Sequence, residues 1–365
     1  MDTQWAPIVV GITAVLAFLY TAKMRIMAAR LGAVDQPGGE RKIHTQPTPL
    51  MGGVAVAAAF VIGVLFLWPE LTAGYLLPKH LIGVLAGVIV LAIGGALDDK
   101  YDLPPKKQII APLLAALIVV ASGVGINYIT NPFGGVLQLN TIQWELFRIG
   151  DTPYHFTLLA DLFAVVWVLG MMYTTKFLDG LDGLVSGVTM IGMVVLFILS
   201  ISEPVLQPET AWLALIAAAA FAGFLVWNWN PAKIFLGESG SLIAGFLLGT
   251  IAIISGAKIA TALLIMGIPI LDVVWVILRR FIIERRSPFE ADRKHLHLRL
   301  IDSGLSQKQA VLFFYVFTLG FGLAALYLHS FTKLIALVAL GVTMLVTSIV
   351  LVKRGNKQRD EQKAD

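Results

Sequence analysis

The chain has 365 residues, of which 58% are hydrophobic and only 14% are charged, and its formal net charge is +4 at pH 7. With a mean hydropathy of +0.83, this composition excludes a water-soluble globular protein and predicts a helical protein that crosses a membrane several times. The sequence contains no cysteine, which excludes disulfides, iron–sulfur clusters and thiolate zinc sites, so the expected metal is a hard cation held by oxygen ligands.

The apolar residues fall in runs of about 20, the length of helix that crosses the ~30 Å hydrocarbon core of a bilayer. We therefore predict an all-α polytopic membrane protein with about eleven transmembrane helices. The first run has no basic residue before it and exceeds the roughly 7 to 15 apolar residues of a signal peptide, so we interpret it as an uncleaved span. The predicted spans lie near residues 5–27, 50–68, 81–97, 108–126, 156–173, 184–200, 210–228, 239–255, 258–278, 310–328 and 333–352.

Basic residues divide unevenly between the two sides of these spans. Of the 27 Lys and Arg residues, 23 fall in the segments that follow odd-numbered spans, including the C-terminal tail. The positive-inside rule then places the N-terminus outside and the C-terminus, with the 23 cations, in the cytoplasm. The acidic motifs described below fall on the same side, near the ends of spans, so their chemistry is predicted to face the cytoplasm.

The remaining segments complete the predicted architecture. Residues 127–155, between spans four and five, contain Asn-Pro and Gly-Gly turn signals and predict a small external hairpin. We find no internal repeat or linker, so residues 1–352 are predicted to form one transmembrane domain and residues 353–365 a disordered cytoplasmic tail.

Two pairs of carboxylates stand at predicted span ends. Asp98 and Asp99 end the third span, and neighbouring side chains on a helix point about 100° apart, so one can hold a cation while the other handles a proton. The alternative is a solvated helix end. Asp179 and Asp182 share a face if their turn is helical, and Gly180 leaves the adjacent backbone bare for a ligand. The alternative here is a flexible loop between spans.

The eighth span begins with Gly237, Glu238 and Ser239. Its hydroxyl groups can simply cap the helix, or its unpaired backbone N–H groups can receive an anion. Glycines also precede or begin the second and sixth spans, which start on the same side of the membrane. Several positive helix ends can therefore converge on one phosphate-rich ligand.

The longest cytoplasmic loop is rich in basic residues, among them Arg293, His295 and His297. Each arginine in this loop has a simpler interpretation as positive-inside charge against anionic lipid. The two histidines face the same way in an extended strand and can contact phosphate, whereas two histidines without a third ligand are poor evidence for zinc. Asp161 and Asp272 lie deeper in predicted spans, and each can be a polar contact between helices.

Five motifs in this order, from about residue 34 to about residue 306, resemble the polyprenyl-phosphate N-acetylhexosamine-1-phosphate transferases of glycosyltransferase family 4. Each motif alone is weak, whereas the ordered set on one side of the membrane is highly specific. The chain looks most like the undecaprenyl-phosphate N-acetylglucosamine-1-phosphate transferase branch. The motifs are ERKIH (40–44) with PTPLMGG (47–53), LDD (97–99), DGLDGL (179–184), FLGESGS (235–241) and SPFEADRKHLH (287–297).

The resemblance implies transfer of an N-acetylhexosamine 1-phosphate, with N-acetylglucosamine favoured, from a UDP-sugar to undecaprenyl phosphate, with release of UMP. It implies an enzyme of the cytoplasmic membrane, active on the cytoplasmic face, that begins the synthesis of a cell-envelope glycan. The expected partners are the UDP-sugar, the polyprenyl phosphate, the bilayer and, in a homodimer, a second copy of the chain. No nucleic-acid partner is expected.

The resemblance also implies roles for individual residues. Asp98 and Asp99 would be the catalytic pair that activates or orients the lipid phosphate. Glu238 would hold Mg²⁺, or Mn²⁺ as an alternative. Asp179 and Asp182 would bind the nucleotide-sugar, and His295 and His297 would contact the diphosphate. The full set of residues implied in substrate binding is His44, Lys176, Asp179, Asp182, Ser239, Arg293, His295 and His297.

Three positions depart from the family pattern: Lys176 stands where the family usually has Asn, Glu238 where it has Asp, and Leu298 where it has a further His. The first two belong to the expected magnesium site. An ammonium at ~4 Å from a unit charge interacts by about 4 kcal/mol at an effective dielectric of 20, and by twice that with a divalent ion. Either Lys176 takes over part of the neutralising role of the metal, paired with Glu238 and the diphosphate, or it turns away while the longer Glu238 reaches in.

Three other interpretations stay open at the level of sequence. A phospho-MurNAc-pentapeptide type of transferase is disfavoured because the stretch from Arg293 to His297 lacks the run of adjacent histidines of that branch. A transporter or ion channel would carry charge at the membrane midplane and show inverted repeats. An inactive member of the family that kept only the fold is suggested by the three departures.

Overall fold

Helices form most of the molecule in the computed structural model. The structure describes residues 5–38, 44–131, 133–149, 152–203, 205–256, 259–285, 295–329, 331–344, 346–347 and 350, so the predicted tail lies outside the described residues. The helices are α1 (Ala6–Leu31), α2 (Gly52–Phe66), α3 (Trp68–Leu71), α4 (Pro78–Tyr101), α5 (Pro105–Gln108), α6 (Ile110–Ala121), α7 (Leu158–Leu178), α8 (Leu184–Ile201), α9 (Pro208–Asn228), α10 (Gly237–Ile254), α11 (Ile259–Ile265), α12 (Gly267–Leu278), α13 (Leu296–Asp302), α14 (Gln307–Tyr327) and α15 (Phe331–Met344).

Within the described residues, seven helices are long and apolar enough to cross a membrane: α1, α4, α7, α8, α9, α10 and α14. An eighth span results if α11 and the helical segment Gly267–Ile282, which meet at a bend of 81°, are taken as one. The prediction of a helical, multi-pass membrane protein is therefore confirmed. The other three predicted spans fall on α2, α6 and α15, which are shorter than the roughly 20 residues that span a bilayer unaided. The count of eleven stays a prediction.

Helix α10 is the centre of the bundle. In its most apolar 18-residue stretch 94% of the residues are buried, against 17% in the corresponding stretch of α1. Helices α2, α4, α7 and α8 pack around it, and glycines allow the closest of these approaches. A Cβ on Gly53 of α2 would overlap the backbone of Gly240 in α10. This packing holds Glu238 and Ser239, in the first turn of α10, at the middle of one end of the bundle.

The described strands form three two-stranded antiparallel sheets. β1 (Val34–Asp35) pairs with β2 (Thr48–Pro49) in the connection between α1 and α2. β3 (Tyr128–Thr130) pairs with β4 (Val136–Gln138), and β5 (Gln143–Ile149) pairs with β6 (Thr152–Thr157). The segment for which one small hairpin was predicted therefore contains two. Both lie between α6 and α7, at the end of the bundle opposite to the first turn of α10.

Candidate active site

A cleft of about 1070 Å³ opens at the end of the bundle where α4 and α7 end and α8 and α10 begin. Motifs that are far apart in the sequence meet in this cleft, since each of them stands at a helix end on the same side. Its lining includes six of the residues predicted to bind substrate: His44, Lys176, Asp179, Asp182, His295 and His297. Arg293 lies outside the described residues.

A second cavity of about 390 Å³ lies between α4 and α6. Its walls are mainly apolar, with Ile93, Leu97 and Leu114 among them, and Asp98 and Glu238 stand at its polar end. The side chain of Gln108 lines both this cavity and the larger cleft. The two cavities are therefore neighbours, and we call their common boundary, formed by Gln108, Lys176 and Glu238, the seam.

The adjacent carboxylates of α4 point to different partners, as their positions on a helix predict. Asp98 Oδ1 accepts hydrogen bonds from the backbone N–H of Leu103 at 2.9 Å and from Gln108 Nε2 at 3.2 Å. Asp99 Oδ1 accepts the backbone N–H of Glu238 at 2.8 Å, so Asp99 caps the first turn of α10. Asp99 Oδ2 is buried without a hydrogen bond. Gly237 has φ +74°, and a Cβ there would overlap the Asp99 carboxylate.

The turn between α7 and α8 separates Asp179 from Asp182. The condition under which these carboxylates would share a helix face is not met, because α7 ends at Leu178 and α8 begins at Leu184. Asp182 Oδ2 accepts hydrogen bonds from Asn230 Nδ2 at 2.9 Å and from the backbone N–H of Ala232 at 3.0 Å. Asp182 thus holds the connection between α9 and α10 against the cleft.

Asp179 projects into the cleft and is open to it, although protein surrounds the cleft on most sides. This desolvation raises the pKa of Asp179, and the negative charges of Glu238, Asp99 and Asp182 raise it further, to about 8. Asp179 is therefore largely protonated at neutral pH before any ligand binds. A protonated carboxyl can donate a hydrogen bond to a phosphate oxygen, which a carboxylate cannot do.

Lys176 lies in the last turn of α7 and points into the seam. Its ammonium donates to Glu238 Oε1 at 2.5 Å and to Gln108 Oε1 at 3.0 Å. The Lys176 and Glu238 side chains are only 20% and 14% exposed. A buried ion pair needs additional hydrogen bonds to offset its desolvation, and Gln108 supplies one here. Of the two arrangements that the sequence allows, the structure has the one in which Lys176 faces Glu238.

The two histidines after the long basic loop stack on one another in the cleft wall. Their ring centroids are 5.7 Å apart, with 14° between the planes. The expected extended strand is not present, since α13 begins at Leu296 and His295 is its N-terminal flanking residue. His297 is buried, which lowers its pKa to about 4, so the ring is neutral at pH 7. Its Nδ1 atom has no hydrogen-bond partner.

Asp272 fixes the position of His295. The Asp272 Oδ2 atom lies 2.8 Å from His295 Nδ1, and Oδ1 accepts the backbone N–H of Leu296 at 2.9 Å. The interpretation of Asp272 as a polar contact between helices is therefore too narrow, because its partner belongs to the site. Asp161, at the opposite end of α7, instead accepts the backbone N–H of Thr157 at 2.8 Å.

His44 and Ser239 are the remaining described residues that were predicted to bind substrate. The His44 ring packs edge-on against Phe235 with centroids 5.1 Å apart, and its Nε2 lies 3.6 Å from Asp35 Oδ2. Ser239 is fully buried inside α10 and lines neither cavity. Gln108 was not predicted as a site residue, because it follows two lysines that have a sufficient interpretation as positive-inside charge.

The side chains at the seam do not fit a divalent ion. Among the described residues, no group of three histidine, aspartate or glutamate side chains converges to hold a metal. Glu238, the carboxylate implied as a magnesium ligand, has one oxygen bonded to an ammonium. Mg²⁺ requires a near-octahedral set of oxygen ligands and would stand beside this positive charge.

Comparisons with known proteins agree with one another. The sequence profile of Glycosyl transferase family 4 matches residues 81–256. A Bacillus subtilis (strain 168) protein named "Probable undecaprenyl-phosphate N-acetylglucosaminyl 1-phosphate transferase" is 30% identical over 96% of this chain and 93% of its own length. The decaprenyl-phosphate N-acetylglucosaminephosphotransferase of Mycolicibacterium smegmatis is 32% identical, over 95% and 89% respectively. The undecaprenyl-phosphate alpha-N-acetylglucosaminyl 1-phosphate transferase of Thermotoga maritima is 27% identical, over 94% and 97%.

Proposed function

Because the chain belongs to glycosyl transferase family 4, we propose that it transfers N-acetylglucosamine 1-phosphate from UDP-N-acetylglucosamine to a membrane polyprenyl phosphate. UMP is released and a polyprenyl-diphospho-sugar is formed, the first intermediate of a cell-envelope glycan. The relatives' names support both the transferred group and the lipid acceptor. The apolar helices support the membrane setting.

The observation that carries this proposal is the pair of cavities that meet at the seam. The larger cleft, about 1070 Å³, is polar at its base and has room for a nucleotide-sugar. The smaller cavity between α4 and α6 is mainly apolar, with Asp98, Glu238, Lys107 and Gln108 as its polar lining residues, which suits the first isoprene units of a lipid phosphate. A ligand in each cavity would bring its phosphate to the seam, and such placement of two reactants lowers the barrier to their reaction.

The reaction is a transfer between phosphates. An oxygen of the polyprenyl phosphate forms a bond to the β-phosphorus of the UDP-sugar, the bond from that phosphorus to the bridging oxygen breaks, and UMP leaves with the bridging oxygen. Both phosphates can react as anions, so the protein mainly has to position them and stabilise negative charge. In our proposal Asp98 orients the acceptor phosphate, while Asp179, His295 and His297 contact the donor. No Mg²⁺ is placed at the seam in this proposal, because the side chains there do not fit the ion.

The orientation in the membrane is part of the proposal. We infer eleven spans, with the N-terminus outside and the cleft at the cytoplasmic face of the cytoplasmic membrane. The excess of Lys and Arg in the segments on the cleft side supports this orientation. The donor class supports it too, since nucleotide-sugars are cytoplasmic metabolites.

A direct assay tests the proposed function. The full-length protein in lipid nanodiscs is incubated with undecaprenyl phosphate and UDP-N-acetylglucosamine, and UMP and the lipid-linked sugar are measured. Asp98→Asn keeps the hydrogen bond from Leu103 but loses the negative charge, and we expect turnover to fall at least about 100-fold. Asp102→Asn is the matched control, because Asp102 is exposed and lines neither cavity.

The donor is tested in the same assay. We expect UMP release with UDP-N-acetylglucosamine and little with UDP-MurNAc-pentapeptide. If a folded protein releases no UMP with either donor, the proposed enzyme activity is refuted.

A further inference from the structure

The seam contains a positive charge that belongs to the protein itself. The Lys176 ammonium is held between Glu238 Oε1 at 2.5 Å and Gln108 Oε1 at 3.0 Å, so oxygens from two other helical segments fix it. The ion pair is mostly buried, and it faces both cavities through the side chains that line them. An ammonium has three N–H donors, and these two oxygens use two of them.

This charge stands among carboxylates. Asp98, Asp99 and Glu238 all lie at the cleft or directly behind it, and the donor diphosphate and the acceptor phosphate must enter the same space during transfer. Bringing so many anions together requires a cation at the point where the phosphates meet. In phosphoryl transfer a divalent ion commonly has this role. Here the space beside Glu238 is already occupied by an ammonium.

We propose that Lys176 is a built-in cation of the active site: its ammonium, rather than a divalent ion bound to Glu238, neutralises the reacting phosphates. This inference rests on the proposed function and specifies how that site works. No proton is transferred in this step: the new bond to the β-phosphorus forms, the bond to the bridging oxygen breaks, and UMP leaves with that oxygen. Glu238 and Gln108 are positioning residues, which hold the ammonium at the seam.

The first test removes divalent ions from the wild-type enzyme. Full-length protein in nanodiscs is treated with EDTA, and transfer of N-acetylglucosamine 1-phosphate is then measured with and without added Mg²⁺. We expect most of the rate to persist without a divalent ion. The inference is overturned if chelation abolishes transfer and Mg²⁺ restores it.

The second test measures metal binding without any turnover. Mn²⁺ binding to the same nanodiscs is followed by electron paramagnetic resonance. Lys176→Asn removes the charge beside Glu238, and we expect it to tighten Mn²⁺ binding about 100-fold and to make transfer dependent on a divalent ion. Lys176→Arg keeps the charge and should stay independent of metal. Lys308→Asn is the matched control, since Lys308 is exposed at the same end of the bundle and lines neither cavity.

Glu238→Gln separates the remaining outcomes. In the wild-type background this change should leave Mn²⁺ binding unaltered, and in the Lys176→Asn background it should remove the new binding. If wild-type protein binds Mn²⁺ and Glu238→Gln abolishes that binding, Glu238 is a metal ligand and the inference fails. The comparison of wild type with Glu238→Gln decides whether Glu238 is a metal ligand, even if Lys176→Asn does not fold. If folded wild-type protein releases no UMP under any condition, the proposed function fails, and the Mn²⁺ measurements still decide the role of Lys176.

Discussion

The raised pKa of Asp179 makes the affinity of the cleft for anions depend on pH. The pKa of about 8 means that Asp179 is protonated below pH 8 and becomes a carboxylate above it. A further negative charge in the cleft, beside the neighbouring carboxylates Glu238, Asp99 and Asp182, repels a diphosphate. We predict that the dissociation constant for UDP-N-acetylglucosamine rises about tenfold between pH 7 and pH 9. Isothermal titration calorimetry of the full-length protein measures this dissociation constant at each pH.

Asp179→Asn is the informative variant for this prediction. It keeps the size of the side chain but cannot ionise, so its affinity should change little over the same pH interval. His297 does not complicate the comparison, because its pKa of about 4 keeps the ring neutral throughout. An equal pH dependence in wild type and Asp179→Asn would contradict the prediction.

A second prediction at the scale of single residues concerns Asp272. Asp272→Asn can still accept the backbone N–H of Leu296, but its amide N–H₂ group cannot accept a hydrogen bond from His295 Nδ1. The contact with His295 then persists only if Nδ1 is unprotonated and accepts from the amide, so the ring is forced into the tautomer with its proton on Nε2 and presents a donor to the cleft. We expect the kcat for UMP release to fall about 10- to 100-fold, the value of a hydrogen bond to a charged group.

Asp161→Asn is the control for Asp272→Asn. Asp161 also lies in a predicted span, but it caps the opposite end of α7, so its replacement should leave kcat unchanged. A purely structural role of Asp272 would lower the thermal stability of the protein without changing the kcat of the molecules that remain folded, and that result would contradict the prediction.

These residues show what could be predicted of the site from sequence. Lys176, Asp179, Asp182 and the two histidines line one cleft, because motifs at helix ends on one side of a membrane lie near one another. Their hydrogen-bond partners were not predictable. Lys176 and Gln108 are 68 positions apart, and their contact depends on how α7 packs against the segment before α6. Hydropathy gives no information about that packing.

At the scale of secondary-structure elements, the close packing of α2 on α10 holds Glu238 in place. A Cβ on Gly53 would overlap backbone atoms of Gly240, which cannot move without displacing α10. We predict that Gly53→Ala destabilises the protein by about 1 to 3 kcal/mol, as overpacking of a core does. The unfolding midpoint in a denaturing detergent titration measures this effect.

Gly170→Ala supplies the control on α7. A Cβ on Gly170 meets nothing within 4 Å, so this variant should be neutral or stabilised by up to about 1 kcal/mol through helix propensity. Because both substitutions are glycine to alanine within helices, propensity alone would give them the same sign. Equal stabilities of the two variants would show that α2 and α10 are not in close contact.

The elements also show where hydropathy is informative and where it is not. Long apolar runs predicted every helix that passes the length test, since burial in lipid demands about 20 apolar residues and a complete set of backbone hydrogen bonds. The same runs predicted α2 and α6 to be longer than they are, because apolar residues continue beyond the ends of both helices. Local chain geometry was less predictable. The turn from Asp179 to Gly183 is not helical: Asp179 has ψ 67° and Gly183 has φ +79°, and both values interrupt a right-handed helix.

At the scale of the whole molecule, the two ends of the bundle differ in charge and in structure. The predicted partition assigns 23 of the 27 Lys and Arg residues to the side of the cleft, whereas the described hairpins β3–β4 and β5–β6 lie at the other end. An orientation with the cleft outside would expose it to a compartment without nucleotide-sugars and would reverse the charge bias. Both arguments favour the cleft on the cytoplasmic side.

This orientation is testable because the chain contains no cysteine, so each introduced cysteine is the single reactive thiol. Gln138→Cys lies in β4 on the hairpin end, and Lys308→Cys lies in the first turn of α14 on the cleft end; both positions are exposed. We predict that a membrane-impermeant maleimide labels Gln138→Cys in right-side-out vesicles and Lys308→Cys only in inside-out vesicles. Labelling of both positions from the same side would mean that the two ends of the bundle do not lie on opposite sides of the membrane. A complete exchange of the two patterns would instead place the cleft outside, and the transfer reaction would then need a donor other than a cytoplasmic nucleotide-sugar.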